Sequence, residues 1–271
     1  MWTYIFLLLA SNNQLPITNY QLPVSRVVSL VPSVTEIIYA LGAQAQLVGV
    51  VTPCDYPPDI KKPIVGNFSA PNIERILAQE PEIVFVAGGE QKYLWHKLKE
   101  LGVQIHICSP ENLQEIYQLI LEVGELLGKK DKADSMVNSL REEFVGVVHE
   151  LPLQKRRVLI EISDNPLITC GEGSFLDELI TLAGGINIAH NIKKPYPITS
   201  SEFVVNANPD VIIITHPGSN PANRLGWELV NAVKEHRIYQ DIDPNIILRP
   251  GPRVILGIKE LKKRIYPELF E

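Results

Sequence analysis

Apolar and polar positions along this chain follow two alternating periods. Short, β-branched apolar runs are separated by stretches with a repeat near 3.6 residues. Arg26–Val31 predicts a strand buried on both faces, as in a parallel sheet, and Leu47–Val51, Glu82–Ala87 and Val103–Cys108 predict further strands. Helices are predicted between them over Glu36–Leu41, Asn72–Gln79 and Gln91–Leu101. Ser33 reads as an N-cap, with Glu36 completing a capping box, and Asn72 as a second N-cap. Thr52–Pro71 holds prolines 53, 57, 58, 63 and 71, a long irregular loop of the kind that carries function in a compact domain.

From Asn112 to Leu151 the pattern is helical throughout. Apolar residues recur at 113, 116, 119, 120, 123, 126 and 127, then at 133, 136, 137, 140, 144, 147 and 148, with a break at Gly128-Lys129-Lys130. The stretch reads as a rigid connector, and the α/β pattern then returns. Arg157–Ile162 and Asp210–Thr215 predict strands, and Ser174–Leu182, a segment from Ser201, and Arg253–Ile265 predict helices. Gly171-Glu172-Gly173 reads as a tight turn into the Ser174 helix. Ile238–Ile242 and Ile246–Leu248 are short apolar pieces. The two blocks share a signature. Glu74 precedes Pro81 and the strand EIVFV as Glu202 precedes Pro209 and the strand DVIII, each at a similar distance after an Arg-Val strand. The fold class expected is α/β: two α/β lobes with mainly parallel sheets, joined by a long connecting helix. The expected organisation is a lead-in over 1–25, an N-terminal lobe over 26–111, a helical connector over 112–152 and a C-terminal lobe over 153–271.

Composition narrows the function. The chain has 271 residues, 45% hydrophobic and 21% charged, which is globular. Its net charge of −6 comes with no basic face, so nucleic acid is not an expected partner. The three cysteines, Cys54, Cys108 and Cys170, form no CxxC, which argues against a zinc knuckle or a disulfide framework. Cys108 reads as a small buried hydrophobe and Cys170, before Gly171, as nearer the surface. No HxH or HExxH spacing and no GxSxG, P-loop or GxGxxG motif occurs, so neither a metal site nor a catalytic residue is assigned. His106 and His149 read as structural, and His216, before Pro217-Gly218, as a solvated loop residue. Trp2–Ala10 is too short to span a bilayer and resembles the apolar part of an export signal. No Lys or Arg precedes it and no cysteine follows it closely. It reads as a degenerate or truncated signal, with a ragged cytosolic start as the alternative.

The segments RVVSLVPSVTEIIYALG (26–42), VGVVTPCDYPP (48–58), NIERILAQEPEIVFV (72–86), GSFLDELITLAGGINIA (173–189), PYPITSSEFVVNANPDVIII (195–214) and LRPGPRVILGIKEL (248–261) carry a resemblance. The chain resembles the helix-linked periplasmic solute-binding proteins of ABC importers, the class serving cobalamin, ferric siderophores and haem, and within it the cobalamin binders. The resemblance spans almost everything from Arg26 onward. It implies a monomer outside the cytoplasm that captures a cobalamin in a cleft between lobes and delivers it to a permease dimer. The corrinoid is then transported cargo, and no cofactor is implied. Matching positions give Phe68 and Tyr196 as aromatic wall residues. Tyr56, in the CDYPP loop, and Arg249, beside Pro250-Gly251-Pro252, are further ligand-binding candidates on chemical grounds. Glu74 and Glu202 match the acidic residues that dock onto permease arginines. One wall position, near Ala87-Gly88-Gly89, lacks the family's tryptophan, and Trp95 reads as packing within its own helix. A ferric siderophore or haem is the alternative ligand. A cytosolic corrinoid- or metal-handling α/β enzyme is the alternative from another class.

Overall fold

The computed structural model describes residues 22–148, 152 and 154–270. The apolar segment Trp2–Ala10, the lead-in as far as residue 21, and His149 lie outside the described residues. The chain divides into two compact units. One runs up to Ser109 and takes in Gln114–Val137; the other comprises Pro110–Leu113 and everything from Asn138.

In the first unit, β1 (Val27–Ser29), β2 (Leu47–Val50), β3 (Ile83–Ala87) and β4 (Gln104–Cys108) form a fully parallel sheet in the order β2-β1-β3-β4. Helices α1 (Pro32–Ala40), α2 (Ile73–Leu77) and α3 (Lys92–Glu100) supply the crossovers. Val27, Val28 and Ile83 to Val86 are wholly buried, which is why these strands read as unbroken apolar runs. Each such side chain contributes roughly 1.5–3 kcal/mol of burial. Helix α4 (Leu113–Leu126) and helix α5 (Lys130–Val148) follow, and α5 carries the chain from the first unit into the second.

In the second unit, β5 (Arg157–Asp164) is central. β8 (Val211–Ile214) pairs parallel on one side, followed by β9 (Ile238–Tyr239). On the other side β7 (Ile186–Asn187) pairs parallel with Arg157 and Val158, and β6 (Leu167–Thr169) pairs antiparallel with Glu161–Asp164. Helices α6 (Phe175–Leu182), α7 (Ser201–Ala207), α8 (Asn231–Lys234), α9 (Pro244–Leu248) and α10 (Val254–Ile265) complete it. With β6 set aside, the order β7-β5-β8-β9 reproduces β2-β1-β3-β4, so the repeat read in the sequence is a repeat of topology. Ten helices and two mostly parallel sheets make the described residues an α/β fold.

One predicted cap was met, and two local readings were corrected. Asn72 caps α2 by accepting from Arg75 N–H at 2.9 Å, Ser174 caps α6, and Ser200 caps α7. Ser33 does not cap α1. That helix starts at Pro32, whose fixed φ and absent N–H suit the first position, so the capping residue is Val31 and Ser33 is buried in the first turn. Cys170 is not near the surface but fully buried. The loop after β7 covers it, with Gly171 N–H donating to the Pro195 carbonyl at 2.9 Å, and burial pushes the Cys170 thiol up to about 12. Cys108 is buried, as expected.

Candidate functional site

In each sheet the chain reverses its winding direction between two neighbouring strands, β1 and β3 in the first unit, β5 and β8 in the second. Ligands of open α/β sheets bind beyond the carboxyl ends of the strands at such points. Both points are built up by buried polar side chains that no sequence motif announces.

In the first unit that side chain is Gln91, wholly buried between β3 and α3. Its amide nitrogen donates to the Leu30 carbonyl past β1 at 3.0 Å and to the Phe68 carbonyl at 2.8 Å, and its oxygen accepts from Ala87 N–H at 2.8 Å. One amide thus ties the ends of β1 and β3 to the proline-rich loop. That loop leaves β2 and doubles back along it: Val65 N–H donates to Val50 O at 2.8 Å and Thr52 N–H to Gly66 O at 3.0 Å. Gly66 holds φ +132, and a Cβ there would meet backbone atoms at under 3 Å, so the fold-back requires glycine. The loop presents Tyr56, 44% exposed, and holds Phe68 half-buried. Tyr93 Oη donates to Ser69 O at 3.3 Å, and Trp95 Nε1 to Ala87 O at 3.1 Å. Trp95 therefore reaches out of α3 to the end of β3 and does not pack only within its own helix, as read from the sequence.

In the second unit the corresponding group is Glu161 on β5, with no exposed side-chain surface. Its carboxylate accepts from Arg224 Nη1 at 2.5 Å, Arg224 Nη2 at 2.8 Å, Ser219 Oγ at 2.6 Å and His216 Nε2 at 3.0 Å. Burial alone would raise this carboxyl, but the bonds from Arg224 and Ser219 and the Arg224 charge outweigh it and hold it below the usual carboxylate range. Arg224 also stacks 4.5 Å above the Trp227 ring, which is fully buried. The loop after β8 is thereby pinned to β5, with Thr215 N–H on Glu161 O at 3.0 Å. His216, read as a solvated loop residue, is instead a donor to a buried carboxylate, because the Pro217 turn folds it back over β5.

Tyr196 is 50% exposed on the segment that pairs with β6, where Ile198 bridges Ile168 and Thr169 N–H donates to Pro197 O at 3.2 Å. Arg249 ends α9 in the turn before α10 and is half-buried. Arg253 lies 3.8 Å from Asp243, at the start of α9. Glu74 and Glu202 are both exposed and occupy the same position, two residues past the capping residue of equivalent helices, where the helix dipole favours a carboxylate. The first unit thus brings Tyr56 and Phe68 onto one loop, and the second carries Tyr196 and Arg249 on separate loops.

Residues 27–244 match the model of the periplasmic binding protein family. The chain belongs to this family. It is 33% identical over 258 residues to an uncharacterised ABC transporter substrate-binding lipoprotein, YvrC, of Bacillus subtilis, covering 91% of this chain and 81% of that protein. It is 30% identical over 247 residues to a vitamin B12-binding protein of Vibrio parahaemolyticus, covering 88% of each. The crystal structure of the periplasmic vitamin B12-binding protein BtuF of Vibrio cholerae superposes with a TM-score of 0.74 at 27% identity, over 92% of this chain and 99% of that one. The protein is accordingly a solute-binding protein of the ABC-transporter type, a class that works with membrane permease components. No helix among the described residues is long and apolar enough to cross a membrane.

Proposed function

We propose that this solute-binding protein captures a cobalamin outside the cytoplasm and delivers it, as a monomer, to the permease dimer of an ABC importer. The observation that carries the reading is the pair of half-exposed tyrosines, Tyr56 and Tyr196, one in each unit, held on loops fixed by backbone pairing. A corrinoid is broad and partly apolar, and ordered aromatic faces with few polar groups suit it. The likeness to vitamin B12-binding proteins over most of both chains supports the same ligand. Phe68, on the same loop as Tyr56, adds apolar surface, and Arg249 supplies a donor fork for corrin amides or the nucleotide phosphate.

Glu74 and Glu202 are the permease contacts in this proposal. They recur at matching helix positions in the repeated topology, and two like charges on like elements suit a dimer that presents two basic sites. The test separates ligand from permease. Tyr196→Ala is expected to weaken cobalamin binding by roughly 10–100-fold, the loss typical of a central aromatic contact. Glu74→Ala combined with Glu202→Ala leaves that affinity unchanged and reduces association with the transporter in reconstituted vesicles. Transport that survives the double substitution contradicts the docking assignment; cobalamin affinity indifferent to Tyr196→Ala contradicts the ligand surface.

A further inference from the structure

The second unit holds an imidazole whose outward nitrogen is set by its neighbours. His190 lies three residues past β7 and opens the loop that carries Tyr196. Its Nδ1 is 2.9 Å and 3.2 Å from the two carboxylate oxygens of Asp177. A carboxylate only accepts, so when the ring is neutral its proton sits on Nδ1 and its lone pair on Nε2. Asp177, in the first turn of α6, keeps only 10% of its side chain exposed. Asn187 fixes it in turn: its Nδ2 donates to Asp177 Oδ1 at 2.7 Å and to the Cys170 carbonyl at 2.9 Å, and its Oδ1 accepts from Ala189 N–H at 3.0 Å. The His190 side chain is 60% exposed, and its Nε2 has no partner among the described residues.

A carboxylate on one ring nitrogen and a presented lone pair on the other is the arrangement that aims histidine at a metal. Among the described residues no group of three or more His, Cys, Asp or Glu side chains is placed to hold a bare ion. One imidazole is a poor trap for a hydrated ion. It is sufficient for a metal that arrives with four macrocycle nitrogens of its own and lacks only an axial ligand.

We infer that His190 Nε2 is an axial ligand for the metal of a bound tetrapyrrole, cobalt in a corrinoid or iron in haem, with Asp177 as its positioning residue. The inference rests on the proposed function for its class of ligand. In the step, the Nε2 lone pair forms a bond to the trivalent metal and a water molecule leaves the same metal. No electron is transferred and no proton is gained or lost.

The experiment titrates the full chain with aquocobalamin, cyanocobalamin and ferric haem, following binding by calorimetry and the metal's ligand set by visible spectroscopy. Aquocobalamin is expected to take on the spectrum of an imidazole-ligated corrinoid, whereas cyanocobalamin, whose cyanide holds that position, binds without a spectral change. His190→Ala and His190→Gln are expected to retain cyanocobalamin binding and lose the aquocobalamin shift. Asp177→Asn is expected to weaken aquocobalamin relative to cyanocobalamin by about 10-fold or more, the usual cost of losing a histidine's orienting partner. An imidazole shift with ferric haem alone supports His190 and moves the ligand to iron. Binding with an unchanged metal spectrum, or a shift that survives both His190 substitutions, overturns the inference and leaves the solute-binding reading in place. Binding of none of the three overturns both.

Discussion

Glu161→Gln tests whether the buried carboxylate pins the loop after β8. The substitution keeps shape and volume, so no cavity contributes. Both carboxylate oxygens face donors: Oε1 receives Arg224 Nη2, Ser219 Oγ and His216 Nε2, and Oε2 receives Arg224 Nη1. Whichever way the amide turns, its NH₂ meets a guanidinium N–H. Removing one partner of a buried pair costs roughly 3–5 kcal/mol, and about 19% exposure of Arg224 lets water recover part of it, leaving about 2–4 kcal/mol. For a chain of this size that is a fall in Tm of roughly 4–10 °C. Urea denaturation at pH 7 measures it, and Trp227, stacked on Arg224, gives a local fluorescence signal. The Glu161 carboxyl is held low in the folded protein, so its ionised form favours folding. That contribution is complete above the ordinary glutamate pKa of about 4.3 and is lost as pH falls through the lower folded value. The gap between wild type and Glu161→Gln should therefore narrow in acid. Glu161→Leu paired with Arg224→Met should recover only part of the loss, since the apolar pair carries no stranded charge but leaves Ser219 Oγ and His216 Nε2 without their acceptor. A Glu161→Gln protein within about 0.5 kcal/mol of wild type at pH 7, the range of an ordinary surface change, would refute the reasoning.

Three further outcomes follow from the same geometry. Gln91→Leu removes the amide that ties Leu30, Ala87 and Phe68, stranding the buried Leu30 carbonyl and two part-buried backbone groups. It should lower stability by about 2–3 kcal/mol and raise hydrogen exchange across residues 65–70. Ser200→Ala takes the cap from α7 and should cost about 1 kcal/mol by urea denaturation, with no change in ligand affinity. Phe68→Ala should weaken cobalamin binding by roughly 10-fold in a calorimetric titration, the loss expected of one aromatic contact.

The strands and the repeat were legible because parallel strands buried on both faces leave uniformly apolar runs, as in Val27-Val28 and Val211 to Ile213. The cap at Asn72 was legible because side chain and helix start are neighbours in sequence. Three-residue β6 and two-residue β7 left no periodicity to read. The polar network was hidden for another reason. Glu161 meets Ser219 and Arg224 across more than fifty residues, and an isolated glutamate inside RVLIEI looks like a strand residue turned to solvent. Gln91, one polar residue at a helix start, gave no hint that it joins three segments. His190 gave none either, because its partner Asp177 belongs to a helix thirteen residues earlier.

The central claim is that the two half-exposed aromatic loops serve a corrinoid. Calorimetric titration of the full chain with cyanocobalamin, with haem and a ferric hydroxamate siderophore run in parallel, addresses it most directly. The account predicts saturable one-to-one binding of cyanocobalamin in preference to both iron ligands. Saturable binding of haem or the siderophore with no heat from cyanocobalamin would contradict it.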